Sequence, residues 1–449
     1  MYNLSPMPRL TSKKDTIPGP AGRGEQFAWC MYDFANSGYT TVVLTAVFNA
    51  YFVSVIASGA NDQQDGSATL LWTIAMAIAN GLVLICAPIL GAIADFSAAK
   101  KRFLVISTIG CVLFTALLSM VGPGDIALAM VLVILATTMF AAGESFIAAF
   151  LPELVPPEQM GRLSGYGWTV GYLGGLLTLG LCIVYIQWAQ AQGQTADQFV
   201  PMTNLIVAVI FALAALPTLI WLRERAVARE THGLRDYVSI GFYRLNHTLK
   251  HARQHQDLFR FLVTLCIYHA GIHTVIVLAA VYAQQVMNFD TTDTLKLIMV
   301  VNITAAMGAF IFGHLQDRIG SKRSLVITLI VWVFAIGIAY YAKEPNIFWL
   351  AANLIGFALG ASQSAGRALV GLFSPPQRSG EFFGLWGLAV RLAAIIGPLT
   401  YGATIYFAKG DHRLAILSTL MFFVAGLALL LTVNEARGRE AAQLDRWNG

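Results

Sequence analysis

The stretch Gly91-Ala-Ile-Ala-Asp95-Phe-Ser-Ala-Ala-Lys100-Lys101-Arg102 has an echo far downstream, Gly313-His-Leu-Gln-Asp317-Arg318-Ile-Gly-Ser-Lys322-Arg323. Both read G-x3-D-x4-K-K/R, both close one long apolar run and open the next, and they lie 222 residues apart. In each, the glycine permits two helices to approach closely. The aspartate suits the positive N-terminus of another helix, and the basic pair is expected to stay in water. One Gly-Asp-basic loop is commonly just a turn. Two with equal internal spacing, each between apolar spans, point to a membrane protein built from a repeat.

A second echo agrees. Pro156-Pro157-x3-Gly161-x3-Gly165 and Pro375-Pro376-x3-Gly380-x3-Gly384 are shifted by 219 residues, so the halves align with small gaps. Of the 449 residues 57% are hydrophobic and 12% charged, where a soluble domain has roughly 25% charged. Mean hydropathy is +0.65. Apolar runs long enough to cross a bilayer cover residues 27–57, 70–94, 103–121, 125–150, 164–188, 201–222, 258–286, 294–316, 325–342, 347–373, 382–407 and 412–433. The expected division is a cytoplasmic tail (1–26), a six-helix half (27–222), a cytoplasmic linker (223–257), a second six-helix half (258–433) and a cytoplasmic tail (434–449).

Charge sets the orientation. With the termini and every second loop placed on one side, that side holds 23 of the 29 Lys and Arg, which puts both termini in the cytoplasm. The net charge of +5 is therefore no nucleic-acid signal. The polar N-terminus, with Lys13, Lys14 and Pro18, has no apolar leader and reads as a disordered tail. His247, His251 and His255 can share one helical face in the linker, read as a solvated surface helix. The five cysteines lie in or beside apolar spans without paired spacing and read as small buried hydrophobes. Neither a nucleotide-binding G-x4-G-K-S/T nor H-E-x-x-H nor G-x-S-x-G occurs, so no cofactor, no metal and no enzyme chemistry is assigned.

The loops resemble the hallmark of the major facilitator superfamily, G-x3-D-R/K-x-G-x-R/K-R/K. The second copy keeps Arg318 and Gly320; the first, with Phe96 and Ala98, is the weaker match. The first span opens Trp29-Cys-Met-Tyr32-Asp33-Phe34-Ala35-Asn36-Ser37-Gly38-Tyr39. This resembles the W-x-x-Y-D-W/F-A-N-S-A/G opening of the bacterial branch related to the autophagy vacuolar amino-acid effluxer. The resemblance implies an all-α polytopic fold: twelve transmembrane helices in two pseudo-symmetric six-helix halves, with spans 1, 4, 7 and 10 around a midplane cavity. It also implies movement of amino acids or similar small solutes, with efflux as the direction. Site residues carried over by it are Tyr32, Asp33, Asn36 and the two loop motifs.

Ionisable groups inside a span cost roughly 2.5–3.5 kcal/mol on the insertion scale, which makes them functional suspects. The candidates for substrate or coupling are Tyr32, Asp33 and Asn36 in span 1, Glu144 in span 4, His269 and His273 in span 7, Gln363 and Arg367 in span 10, and Arg391 in span 11. Several readings stay open. Asp33 can face the interface or cap a helix end. Glu144 can serve coupling or pair with Arg367 or Arg391. The histidines, four residues apart, can titrate near neutral pH or simply pack. The glycines Gly167, Gly171, Gly174, Gly175 and Gly180 of span 5 read as close helix packing.

The expectation is a secondary transporter, monomeric, in a bacterial inner membrane. It moves a small solute by alternating access, with protons as candidate coupling ion. The loops Gly91, Asp95, Lys100, Lys101 and Gly313, Asp317, Arg318, Lys322, Arg323 would latch its cytoplasmic side. The rival readings are a non-transporting receptor or assembly factor on the same fold, and an intramembrane enzyme acting on a lipid.

Overall fold

A computed structural model of the chain describes residues 21–57, 67–225, 255–289, 291–409 and 411–448. The polar tail before residue 21 and most of the linker, including His232, His247 and His251, lie outside the described residues. Among the described residues twelve helices are long and apolar enough to cross a membrane. They are α1 (Arg23–Ile56), α2 (Leu70–Phe96), α3 (Lys100–Met120), α4 (Ile126–Leu154), α5 (Pro157–Ala191), α6 (Ala196–Trp221), α7 (Gln256–Met287), α8 (Thr291–Ile319), α9 (Ser321–Tyr341), α10 (Pro345–Phe373), α11 (Pro376–Phe407) and α12 (His412–Leu431). A short polar helix, α13 (Glu435–Asn448), follows. The described residues contain no strand.

The helices divide by what their faces meet. Ile85, Ile106, Val184, Ile220 and Met421 are exposed on the outside, as lipid-facing side chains must be. The inward faces are rich in Gly, Ala, Ser and Thr, which bring backbones together where no hydrophobic effect separates helix from lipid. Internal prolines (Pro88, Pro201, Pro217, Pro398) do not break their helices. In α1 the backbone loosens into π turns over Thr40–Ala46 and Phe52–Ile56, beginning in the β-branched run Thr40-Thr41-Val42-Val43 that crowds a regular helix.

Two helix pairs seam the halves together, α2 against α11 and α5 against α8. Glycine sets their closeness. A Cβ on Gly165 would stand 2.6 Å from the Ala309 carbonyl oxygen and the Gly313 Cα, and one on Gly91 would strike the Gly380 carbonyl oxygen. Pseudo-symmetry is visible in detail: the Tyr32 hydroxyl of α1 occupies the space beside Gly143 of α4, and the Tyr268 hydroxyl of α7 that beside Gly366 of α10.

At the end of the bundle that bears the basic loops, helices reach past their expected starts. α3 begins at Lys100, α5 at Pro157 and α11 at Pro376. These first turns are polar and stand beyond the apolar runs, with Arg102, Glu158 and Gln377 exposed.

Candidate functional site

Among the described residues two buried ion pairs join the halves, besides the more exposed Arg162–Asp317 pair at the basic end, 4.0 Å apart. Asp33 in α1 meets Arg367 in α10, where Nη1 donates to Oδ1 at 3.1 Å and Nη2 stands 2.8 Å from Oδ2. Arg367 also donates from Nε to Ser164 Oγ at 3.1 Å and from Nη2 to the Ser164 carbonyl at 3.0 Å. Its guanidinium lies 4.6 Å from the Trp29 ring and 5.2 Å from the Trp168 ring. Glu144 in α4 meets Arg391 in α11, with Nη2 donating to Oε2 at 2.7 Å and Phe140 alongside. The Glu144 side chain is 26% exposed and that of Asp33 11%, so the second pair is the more accessible. Glu144 lies within electrostatic reach of Asp33 and Arg367 as well as of Arg391. Buried ions of this kind persist only when paired and hydrogen-bonded.

The remaining candidates are spread around these pairs. Tyr32 is committed to structure, its hydroxyl sharing a 2.9 Å hydrogen bond with Thr108 Oγ1. Gln363 is half-buried. His269 and His273 stack one turn apart on α7 with ring centroids 6.0 Å apart, and His273 is within electrostatic reach of Arg391. Asn36 Oδ1, His269 Nδ1, His273 Nε2 and the Tyr268 hydroxyl are buried without a hydrogen-bond partner. Buried polar atoms are normally satisfied; these four share that state with atoms away from the ion pairs, such as Thr115 Oγ1 and Asn204 Oδ1. Among the described residues no three His, Cys, Asp or Glu side chains gather as a metal site would need.

At the basic end the loop aspartates each sit on a helix of the opposite half. Asp95 accepts from the backbone N–H of Gly380 at 2.9 Å and of Glu381 at 2.8 Å, at the start of α11. Asp317 accepts from the N–H of Arg162 at 3.1 Å, at the start of α5. Both place a carboxylate against the positive end of a helix. Gln316 adds bonds to the Gly161 carbonyl and Ser364.

The basic residues correct the expectation. Lys100 does not stay in water: it is fully buried, bonded to Glu153 and to Ser379 Oγ at 3.0 Å, with Asp95 at 3.4 Å. Two acids and a hydroxyl make burial of its charge tolerable. Its neighbour Lys101 donates to the Leu222 carbonyl at 2.6 Å, while its backbone N–H binds Glu224. In the second half Lys322 does both, donating to the Val433 carbonyl at 2.5 Å and binding Glu435 through its N–H. Thus Lys101, not Lys100, is the counterpart of Lys322. The loops differ by one residue, and the turn is made at Ala98 (φ 47°) in one and Gly320 (φ 92°) in the other.

The family profile described as "Vacuole effluxer Atg22 like" matches residues 55–443. The chain belongs to that family. Among relatives of this Atg22-like chain is the uncharacterized MFS-type transporter YxiO of Bacillus subtilis, 28% identical over 93% of this chain and 97% of that one. Autophagy-related protein 22 of Yarrowia lipolytica is 27% identical over 63% of this chain, and the matched part spans 52% of the fungal protein. The chain thus spans about half the length of such fungal relatives. Two solved structures share its fold at a TM-score of 0.69. The human organic anion transporter MFSD10 is 14% identical, covering 91% of this chain and 99% of that one; the proton:xylose symporter XylE is 15% identical, covering 94% and 98%. Fold and family together make this Atg22-like protein a multi-pass major facilitator superfamily transporter; YxiO and both solved structures are named as transporters rather than enzymes.

Three groups at the centre escape a reading of the sequence. Trp29 stands four residues before Asp33, one helical turn away, and the first-span signature already contained it. Trp168 adjoins Gly167 in a glycine series read only as packing. Ser164 carries no signal at all.

Proposed function

We propose that this Atg22-like protein moves a small solute of the amino-acid class across the membrane by alternating access, with Glu144 carrying the coupling proton. The basic end is the cytoplasmic one in this reading, closed in the conformation described. The observation that carries the proposal is the pair of acid–base bridges between halves, Asp33–Arg367 and Glu144–Arg391. A zwitterion can replace both members of such a bridge, its ammonium facing the carboxylate and its carboxylate taken bidentately by the guanidinium. Parting the halves then trades one set of ion pairs for another. Glu144 is the coupling candidate because it is the more exposed acid. The family description names efflux out of a vacuole, a movement toward the cytoplasm, and the positive-inside bias supports the orientation.

The test is flux in proteoliposomes, preceded by a thermal-shift screen of the purified protein against amino acids, peptides, sugars and organic cations at two pH values. Amino-acid binding with flux driven by a pH gradient is the expected result. Binding without flux would favour a receptor on the same fold. Flux of sugars alone would discard the substrate class.

A further inference from the structure

Arg367 belongs to the second half, yet what holds its guanidinium belongs largely to the first. Asp33 and Trp29 come from α1, Ser164 and Trp168 from α5. One carboxylate, a hydroxyl, a carbonyl and two ring faces surround it, the combination that selects a planar cation. Gly167 leaves the room: a Cβ there would strike Asp33 Oδ2 and lie 2.5 Å from Arg367 Nη2 and 2.8 Å from Trp29. We propose that the first half carries a binding site for a guanidinium group, that Arg367 is its tethered occupant in this conformation, and that a solute bearing such a group takes its place when the halves part at the basic end. The second clause rests on the alternating-access reading; the site itself does not.

The experiment uses full-length protein in detergent and methylguanidinium chloride as probe, with sodium chloride at equal ionic strength as control. Arg367→Ala empties the site. Methylguanidinium should raise the melting temperature of R367A saturably and leave that of the wild type unmoved. In D33N/R367A the affinity should fall about tenfold or more, since the carboxylate supplies the charge-assisted bonds. If R367A does not purify, R367Q serves, because a neutral amide leaves the carboxylate and ring faces unpaired with a cation. A response no larger in either variant than in the wild type, or one undiminished without Asp33, overturns the site. The vacating step is tested in D95N/D317N, which keeps Arg367 but weakens the closed basic end and should bind the probe more tightly than wild type. Binding by R367A with none by D95N/D317N keeps the site and overturns its exchange with Arg367, whatever the flux experiments show.

Discussion

At the scale of single residues, partner choice decides function, and partner choice is three-dimensional. Asp33, Glu144, Arg367 and Arg391 were each legible as costly charges in apolar spans. Which acid meets which base was not, because α1 and α10 lie hundreds of residues apart in the chain. Lys100 was misread for the same reason: the acid that neutralises it, Glu153, comes from the end of α4. Arg367→Ala strands a buried carboxylate and should cost about 3 kcal/mol of stability. D33N/R367Q, which removes both charges, should recover much of that loss in a double-mutant cycle read by thermal melting. Additive losses would show the pair to be uncoupled. Glu144→Gln should abolish the pH dependence of flux in proteoliposomes, whereas flux that keeps its pH response excludes Glu144 as proton carrier.

At the scale of elements, the sequence reads well where lipid dictates composition and poorly where helix meets helix. All twelve helices were countable from hydropathy, but the starts of α3, α5 and α11 were placed late because their first turns are polar and fall outside the apolar runs. The α5 glycines were readable as packing; the helix each one meets was not. Gly91→Ala places a methyl on the Gly380 carbonyl, and its overpacking should weaken the basic-end closure by about 1–3 kcal/mol. The check is faster labelling of a cysteine introduced on the α2–α11 seam, with slow labelling unchanged if the seam tolerates the methyl. Ala98 holds a left-handed backbone at a cost of roughly 1 kcal/mol, which a glycine avoids. Ala98→Gly should therefore raise the melting temperature, and a fall would show that the alanine methyl is needed.

At the scale of the whole molecule, the cross-half links gather toward one end. Asp95 on α11, Asp317 on α5, the Gly91–Gly380 and Gly165–Gly313 contacts and the two central ion pairs all involve the half of each helix nearer the basic loops. Asp317→Ala should leave the protein folded and slow its conformational cycling, and undiminished flux would remove the latch role. A reporter inserted within residues 223–257 should read cytoplasmic; a signal from the other side would invert the orientation. Pseudo-symmetry extends to the outermost contacts, for Glu25 pairs with Arg225 just after α6 as Asp257 pairs with Arg437 just after α12. Against that regularity stands the offset between Lys101 and Lys322. The extra residue lies between the left-handed turn, Ala98 or Gly320, and the lysine that reaches the next helix end. In both loops a lysine therefore caps the carbonyls that close α6 or α12, and the first loop has a second lysine, Lys100, left to neutralise Glu153 and Asp95 in the interior.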